Sequence, residues 1–151
     1  MEKLSQYQSL YEKDYYLWLQ KTSEILQTRQ LNQLDIDNLK SEIENLKTHV
    51  KETLQSRLIT LIKNLLKLKY WTSEKECNAR GWLNNVIEQR LKIELSLEDS
   101  PSLRTLLDEI FFDCYEQART DALKTHQLPR DLFPLETPFS LEDILNSDYL
   151  P

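Results

Sequence analysis

Glycine is almost missing from this chain: Gly81 is the only one in 151 residues. Tight β-turns need glycine to reach positive φ, so the sequence argues against an all-β fold. One glycine cannot build a phosphate-cradling loop either. Gly81 itself sits beside Trp82, where the expected role is a close helix contact or a helix start. Histidine and cysteine are equally scarce, with His49, His126, Cys77 and Cys114 the full set. The cysteines lie far apart and form no C-x-x-C, which reads as two reduced core thiols in a cytoplasmic protein. No apolar run reaches the roughly 18 residues that a membrane span needs. The opening Met1-Glu2-Lys3-Leu4 has no apolar stretch of the kind that marks a secretory signal. Positive charge is in deficit, with 19 Lys and Arg against 25 Asp and Glu and a net charge of −6. That balance disfavours nonspecific phosphate binding and hence a nucleic-acid partner.

What remains is rich in Leu, Glu, Lys and Gln, which lose little rotamer freedom in a helix. A first helix is expected from about Ser9 to Gln30, with a frayed extension toward Lys3. Ser9 and Glu12 have capping-box spacing, and Tyr11, Tyr15, Trp18, Thr22 and Ile25 share one face. A second helix follows an N-cap at Asp35, with Leu34 and Leu39 spaced as a hydrophobic staple. Its apolar stripe runs Leu39, Ile43, Leu46, Val50, Leu54, Leu58, Leu61, Leu65 and Leu68, ending near Tyr70. Acidic residues start it and lysines end it, which suits the helix dipole. At about 50 Å it is long enough to bend or break between Thr53 and Ser56.

Residues 72–76 read as a connection, with Ser73 and Glu76 as a second capping box. A third helix then runs to about Leu97. It carries Trp82, Val86, Ile93 and Leu97, with Leu83, Ile87, Leu91 and Leu95 beside them, a surface wide enough to imply burial on more than one side. Ser100-Pro101 opens a fourth helix, which ends near His126 and turns Leu103, Leu107, Ile110, Phe111, Cys114, Ala118 and Ala122 inward. Pro129, Pro134 and Pro138 stop regular structure, yet Leu132, Phe133 and Phe139 stay apolar. Residues 129–151 are therefore expected to wrap onto the bundle, with Ser140 capping a short last helix. The expected architecture is all-α: one domain over 1–151, an antiparallel bundle of about four main helices with a Pro-rich tail packed on it.

The order of motifs along the chain also resembles a bacterial, mostly cyanobacterial family, the domain of unknown function number twenty-nine. The resemblance runs through Tyr11-x-x-Asp14-Tyr15-x-x-Trp18 and Leu34-Asp35-x-x-Asn38-Leu39-x-x-Glu42-Ile43. It continues through Ser56-Arg57-Leu58, Leu65-Leu66-Lys67, Trp82 and Ile87-x-Gln89-Arg90. Ser100-Pro101-Ser102-Leu103, Tyr115-x-x-Ala118-Arg119, Phe133-Pro134 and Asp148-Tyr149-Leu150-Pro151 complete it. The resemblance implies an all-α fold and no particular activity. The family often has His where this chain has Asn64 and Trp where it has Leu68, so a site built on that histidine is not expected here.

The charged residues inside those motifs, Asp14, Glu42, Arg57, Arg90 and Arg119, form the candidate polar network. One reading makes them an anion-binding or catalytic cluster, because perturbed charges gather at active sites. The other, which we favour, makes them interhelical ties that set register. His49 and Glu52 share a helix face, but two histidines and no Glu-x-x-His fall short of a di-metal bundle. No cofactor, metal ligand set or catalytic residue is assigned. Lys63, Lys67, Lys69 and Lys75 flank Tyr70 and Trp71, a thin edge for nucleic acid that also reads as an ordinary cationic helix end. Asp108, Glu109, Asp113 and Glu116, with Asp131, Glu136, Glu142, Asp143 and Asp148, read as a solvated acidic face or as one for a basic partner. The sequence points to a cytoplasmic, non-catalytic interaction or regulatory protein with a protein partner or a self-complementary face. An enzyme built around Asp14, Glu42, Arg57 and Arg90 is the alternative. Substrate, partner and physiological role are not written in it.

Overall fold

A computed structural model describes residues 2–151. Its order is α1 Glu2–Lys13, α2 Tyr15–Gln27, α3 Ile36–Tyr70, α4 Lys75–Asp99, α5 Leu103–Thr125 and α6 Leu141–Leu145, with short 3-10 turns at Leu31–Gln33 and Thr72–Glu74. Strands are absent among the described residues, and the all-α expectation holds. The chain divides into two compact units, residues 1–50 and 51–151, and α3 contributes to both.

In the first unit the expected single helix is two. Asp14 breaks it: its carboxylate accepts from the Leu17 amide at 3.2 Å and caps α2. Asp14 is exposed there. The expected Ser9–Glu12 box does not form, and Ser9 donates to the Gln6 carbonyl within α1. The break lets α1 fold back on α2, with the Tyr7 and Thr22 hydroxyls bonded across the pair. Helix α2 ends in a Schellman motif: Gln30 N donates to Ile25 O and Arg29 N to Leu26 O, with Arg29 at φ 58°.

In the second unit α3, α4 and α5 run up, down and up. Arg57 meets Ser96 and Asn64 meets Asn85, so α4 is antiparallel to α3. Lys63 meets Asp121 and the Cys114 thiol lies over the Gln55 carbonyl, so α5 is parallel to α3. Leu54, Leu58, Leu61, Leu65 and Leu66 of α3 pack with Val86 and Ile93 of α4 and Leu107, Phe111 and Ala118 of α5. The tail joins this core through Phe133, Phe139, Leu141 and Ile144, as the sequence predicts. Ser140 caps α6 by accepting from the Asp143 amide at 3.1 Å.

Several local expectations fail. Helix α3 does not break across Thr53–Ser56. The Ser73–Glu76 box does not form, because Glu74 occupies the N-cap position of α4 without a side-chain bond. Ser100 ends α4 instead of starting α5: its amide donates to the Ser96 carbonyl, and α5 starts at Leu103. Cys77 is exposed, not core. Gly81 lies inside α4, and a Cβ there would meet nothing within 4 Å, so it marks neither a close contact nor a helix start. Ile87, Leu91 and Leu95 are exposed, so α4 is buried on one side only.

Candidate functional site

Three polar ties hold the first unit together. Tyr7 bonds Thr22 between α1 and α2. The Trp18 indole N–H donates to the buried Asp35 carboxylate at 3.1 Å, joining α2 to the start of α3. The same oxygen, Oδ2, accepts from the Asn38 side chain at 2.6 Å, and Oδ1 accepts from the Asn38 amide at 3.5 Å, so a carboxylate largely sealed from water has both oxygens occupied. Tyr11 and Tyr15 each donate to one Glu42 oxygen at 2.6 Å. These two hydroxyl donors hold the Glu42 carboxyl below its ordinary range. The same bond to Glu42 pushes the Tyr11 phenol up to about 12.

These ties lie to one side of the apolar stripe on α3. Ile36, Ile43, Leu46 and Val50 are 58%, 52%, 64% and 47% exposed. In sequence, Ile43, Leu46 and Val50 belong to the same apolar stripe that continues to Leu68. The signal that separates the two halves is width. Between residues 36 and 50 the apolar positions form a two-position seam with charged neighbours. From Leu54 the pattern broadens to include Ile59, Ile62 and Leu66. A narrow seam suits one helix partner, whereas a broad face suits a globular core.

In the second unit the arginines hold backbone. Arg57 donates to the Ser96 hydroxyl at 2.9 Å. Buried Arg90 donates to the Ile144 carbonyl at 2.7 Å and the Asp143 carbonyl at 3.3 Å, fixing α6 to α4. Arg119 donates to the Phe133 carbonyl at 3.0 Å and the Arg130 carbonyl at 2.6 Å, fixing the start of the tail to α5. Tyr115 adds a bond to the Pro134 carbonyl. Of the five candidate charges, Asp14 and Glu42 belong to the first unit and the three arginines to the second. No hydrogen bond or ion pair joins any two of the five among the described residues; each has a different partner.

The lysine edge is likewise engaged. Lys63 pairs with Asp121 at 3.5 Å. Lys67 lies 6.0 Å from the Trp82 ring, Trp82 stacks on Trp71, and Trp71 packs on His126 at 4.8 Å. Lys69 lies between the Tyr70 and Phe139 rings. Burial, then the neighbouring Lys63, lowers the Lys67 pKa. Burial, with Lys67 and Lys63, lowers that of His126. His49 and Glu52 are both exposed, and no group of three or more His, Cys, Asp or Glu could hold a metal among the described residues. No buried side-chain nitrogen or oxygen lacks a partner among them.

No helix of the described residues is long and apolar enough to cross a membrane. No curated protein and no solved structure matches the chain. Residues 10–150, however, match the family described as Domain of unknown function DUF29, from the last turn of α1 through α2 and all of α3 to the tail, and the chain belongs to that family.

Proposed function

We propose that this chain is a cytoplasmic, non-catalytic interaction protein that engages a protein partner through α3. One observation carries the reading: four branched apolar side chains, Ile36, Ile43, Leu46 and Val50, stand about half exposed in one row. Together they present on the order of 400 Å², within the range of the largest apolar patch on a typical monomer, a patch that often serves a function. The five candidate charges support the same reading. Glu42 and the arginines are spent on hydroxyl and backbone partners that fix helices and tail. Two free thiols suit a reducing compartment.

The test is a pull-down of tagged chain from its native cells, with and without nuclease, followed by reconstitution from purified components. A stoichiometric protein partner, which can be a second copy of the chain, should survive nuclease and be lost with Ile43→Asp. A partner retained equally by the Ile43→Asp chain would remove α3 from the account. Recovery of the tagged chain with neither an untagged copy of itself nor another protein would remove the interaction reading.

A further inference from the structure

We infer that the exposed seam of α3 is covered by the same seam of a second copy, aligned parallel as a short two-stranded coiled coil. The inference rests on the interaction reading above and names its partner. Ile36, Leu39, Ile43, Leu46 and Val50 follow steps of three, four, three and four. That spacing is the a–d–a–d–a register of a heptad. The first, third and fifth positions are Ile, Ile and Val; the second and fourth are Leu. Branched residues at a with Leu at d favour two parallel strands over trimers or tetramers.

The flanking charges choose the same partner and direction. In this register Glu42 occupies a g position, and Lys40 and Lys47 occupy e positions. A parallel pair sets Glu42 of each copy beside Lys47 of the other, giving two opposite-charge contacts. An antiparallel pair centred on Ile43 sets Lys40 against Lys47 and brings the two Glu42 carboxylates together. Glu42 is free to take part: a carboxylate has about four acceptor positions, and Tyr11 and Tyr15 use two. Lys47 is exposed and, among the described residues, pairs with Glu44 of its own helix at 3.4 Å. The α1–α2 hairpin attaches through Asp35 and Glu42 and leaves Ile36, Ile43, Leu46 and Val50 exposed, with Leu39 half-buried between them.

The seam is short. Fifteen residues rise about 22 Å. Two copies would bury about 800 Å² through the four exposed side chains, below the standard size of a permanent interface. The pair should therefore form and part with concentration, in the micromolar range.

Sedimentation velocity of the full chain from about 1 to 200 μM is the first measurement, because mass action must move a pair of this size within that window. A monomer-to-dimer shift is expected. Ile43→Asp should raise the dissociation constant at least about tenfold while leaving helicity intact, since the side chain it replaces is exposed. Lys47→Glu should raise it about threefold without touching the seam, which keeps the test open should Ile43→Asp fail to fold. Val50→Cys, in a Cys77→Ser background, reports direction. Parallel helices bring the two substituted positions within disulfide reach, whereas antiparallel ones put each beside Ile36 of the other copy. A chain that stays monomeric at every concentration, a dimer indifferent to both charge changes, or no covalent dimer at position 50 overturns the inference. A monomeric chain that still captures a different protein, and loses it with Ile43→Asp, sinks self-association but keeps the interaction reading. A monomeric chain with no such partner sinks both.

Discussion

Gly81 and Gln127 show how loosely residue type and backbone need are matched in so glycine-poor a chain. The only glycine lies mid-helix, where it is not needed, and a Cβ would meet open space. Two left-handed positions, Arg29 and Gln127, carry side chains instead. Gln127 closes α5 in a Schellman motif, with Leu128 N donating to Leu123 O and Gln127 N to Lys124 O. Gly81→Ala should therefore stabilise the chain by about 1 kcal/mol through helix propensity. Gln127→Gly should stabilise by a similar amount, about 1 kcal/mol, by relieving the left-handed backbone. Urea unfolding of each variant checks both, and a destabilised Gly81→Ala would mean a neighbour presses on that position. The two thiols are expected to separate just as cleanly. Cys77 is exposed, while burial pushes the Cys114 thiol up to about 11. A thiol reagent at pH 8 should label Cys77 at once and Cys114 only on unfolding. Two thiols labelled at one rate in the folded chain would contradict this packing.

At the scale of elements, Glu42 ties the α1–α2 hairpin to α3, and its chemistry sets a pH window. Its folded pKa lies below the unfolded value of roughly 4.3, so its contribution is complete above that value and lost as pH falls through the folded one. Tyr11 acts with the opposite sign. Its raised pKa means a contribution complete below about 10 and lost as pH climbs toward the folded value. The Tyr11→Phe/Tyr15→Phe chain should release Glu42 toward an ordinary pKa, so the part of the hairpin's acid loss that comes from Glu42 disappears. Carboxyl NMR shifts of Glu42, read beside Trp18 fluorescence, follow this directly, and an unmoved titration would place the source of the shift elsewhere. Arg90→Met tests the other tie. Removing a charged donor from the Ile144 and Asp143 carbonyls should cost about 2 kcal/mol and expose the tail to limited proteolysis. Equal protection of the tail would show that Phe139 and Ile144 hold it unaided. Such ties were only partly legible in the sequence. The Ser140 cap is a local signal and was readable. Asp14 was not, because Ser9-x-x-Glu12 offers an equally good cap a turn earlier. The choice is made by packing that brings Tyr7 to Thr22. Ser100 was misread for a similar reason: Ser-Pro suits a helix start, but here α4 runs on to Asp99 and uses the Ser100 amide to end.

For the whole molecule, the distribution of buried side chains matters more than the count of helices. Helical periodicity made the all-α class and the packed tail legible, because 3.6-residue spacing and large apolar side chains are visible in one dimension. Periodicity did not show that α3 changes role along its length, since Leu46 and Leu61 lie on one continuous apolar stripe while one is exposed and the other sealed. The second unit holds a continuous core from Leu54 to Ile144. Among the described residues the first unit buries only Tyr7, Trp18, Thr22 and Asp35. Few buried apolar contacts mean a low free energy of local opening, whatever the continuity of the helix. Native-state hydrogen exchange should therefore split α3. Amides from Leu54 to Leu66 should exchange only with global unfolding, and those from Leu39 to Val50 through smaller openings. Raising the protein concentration should slow the second class alone if two seams pair, and Ile43→Asp should cancel that slowing. Uniform protection along α3 in dilute solution would mean that residues 36–50 are as firmly held as the core. The exposed row would then need no partner to keep its helix.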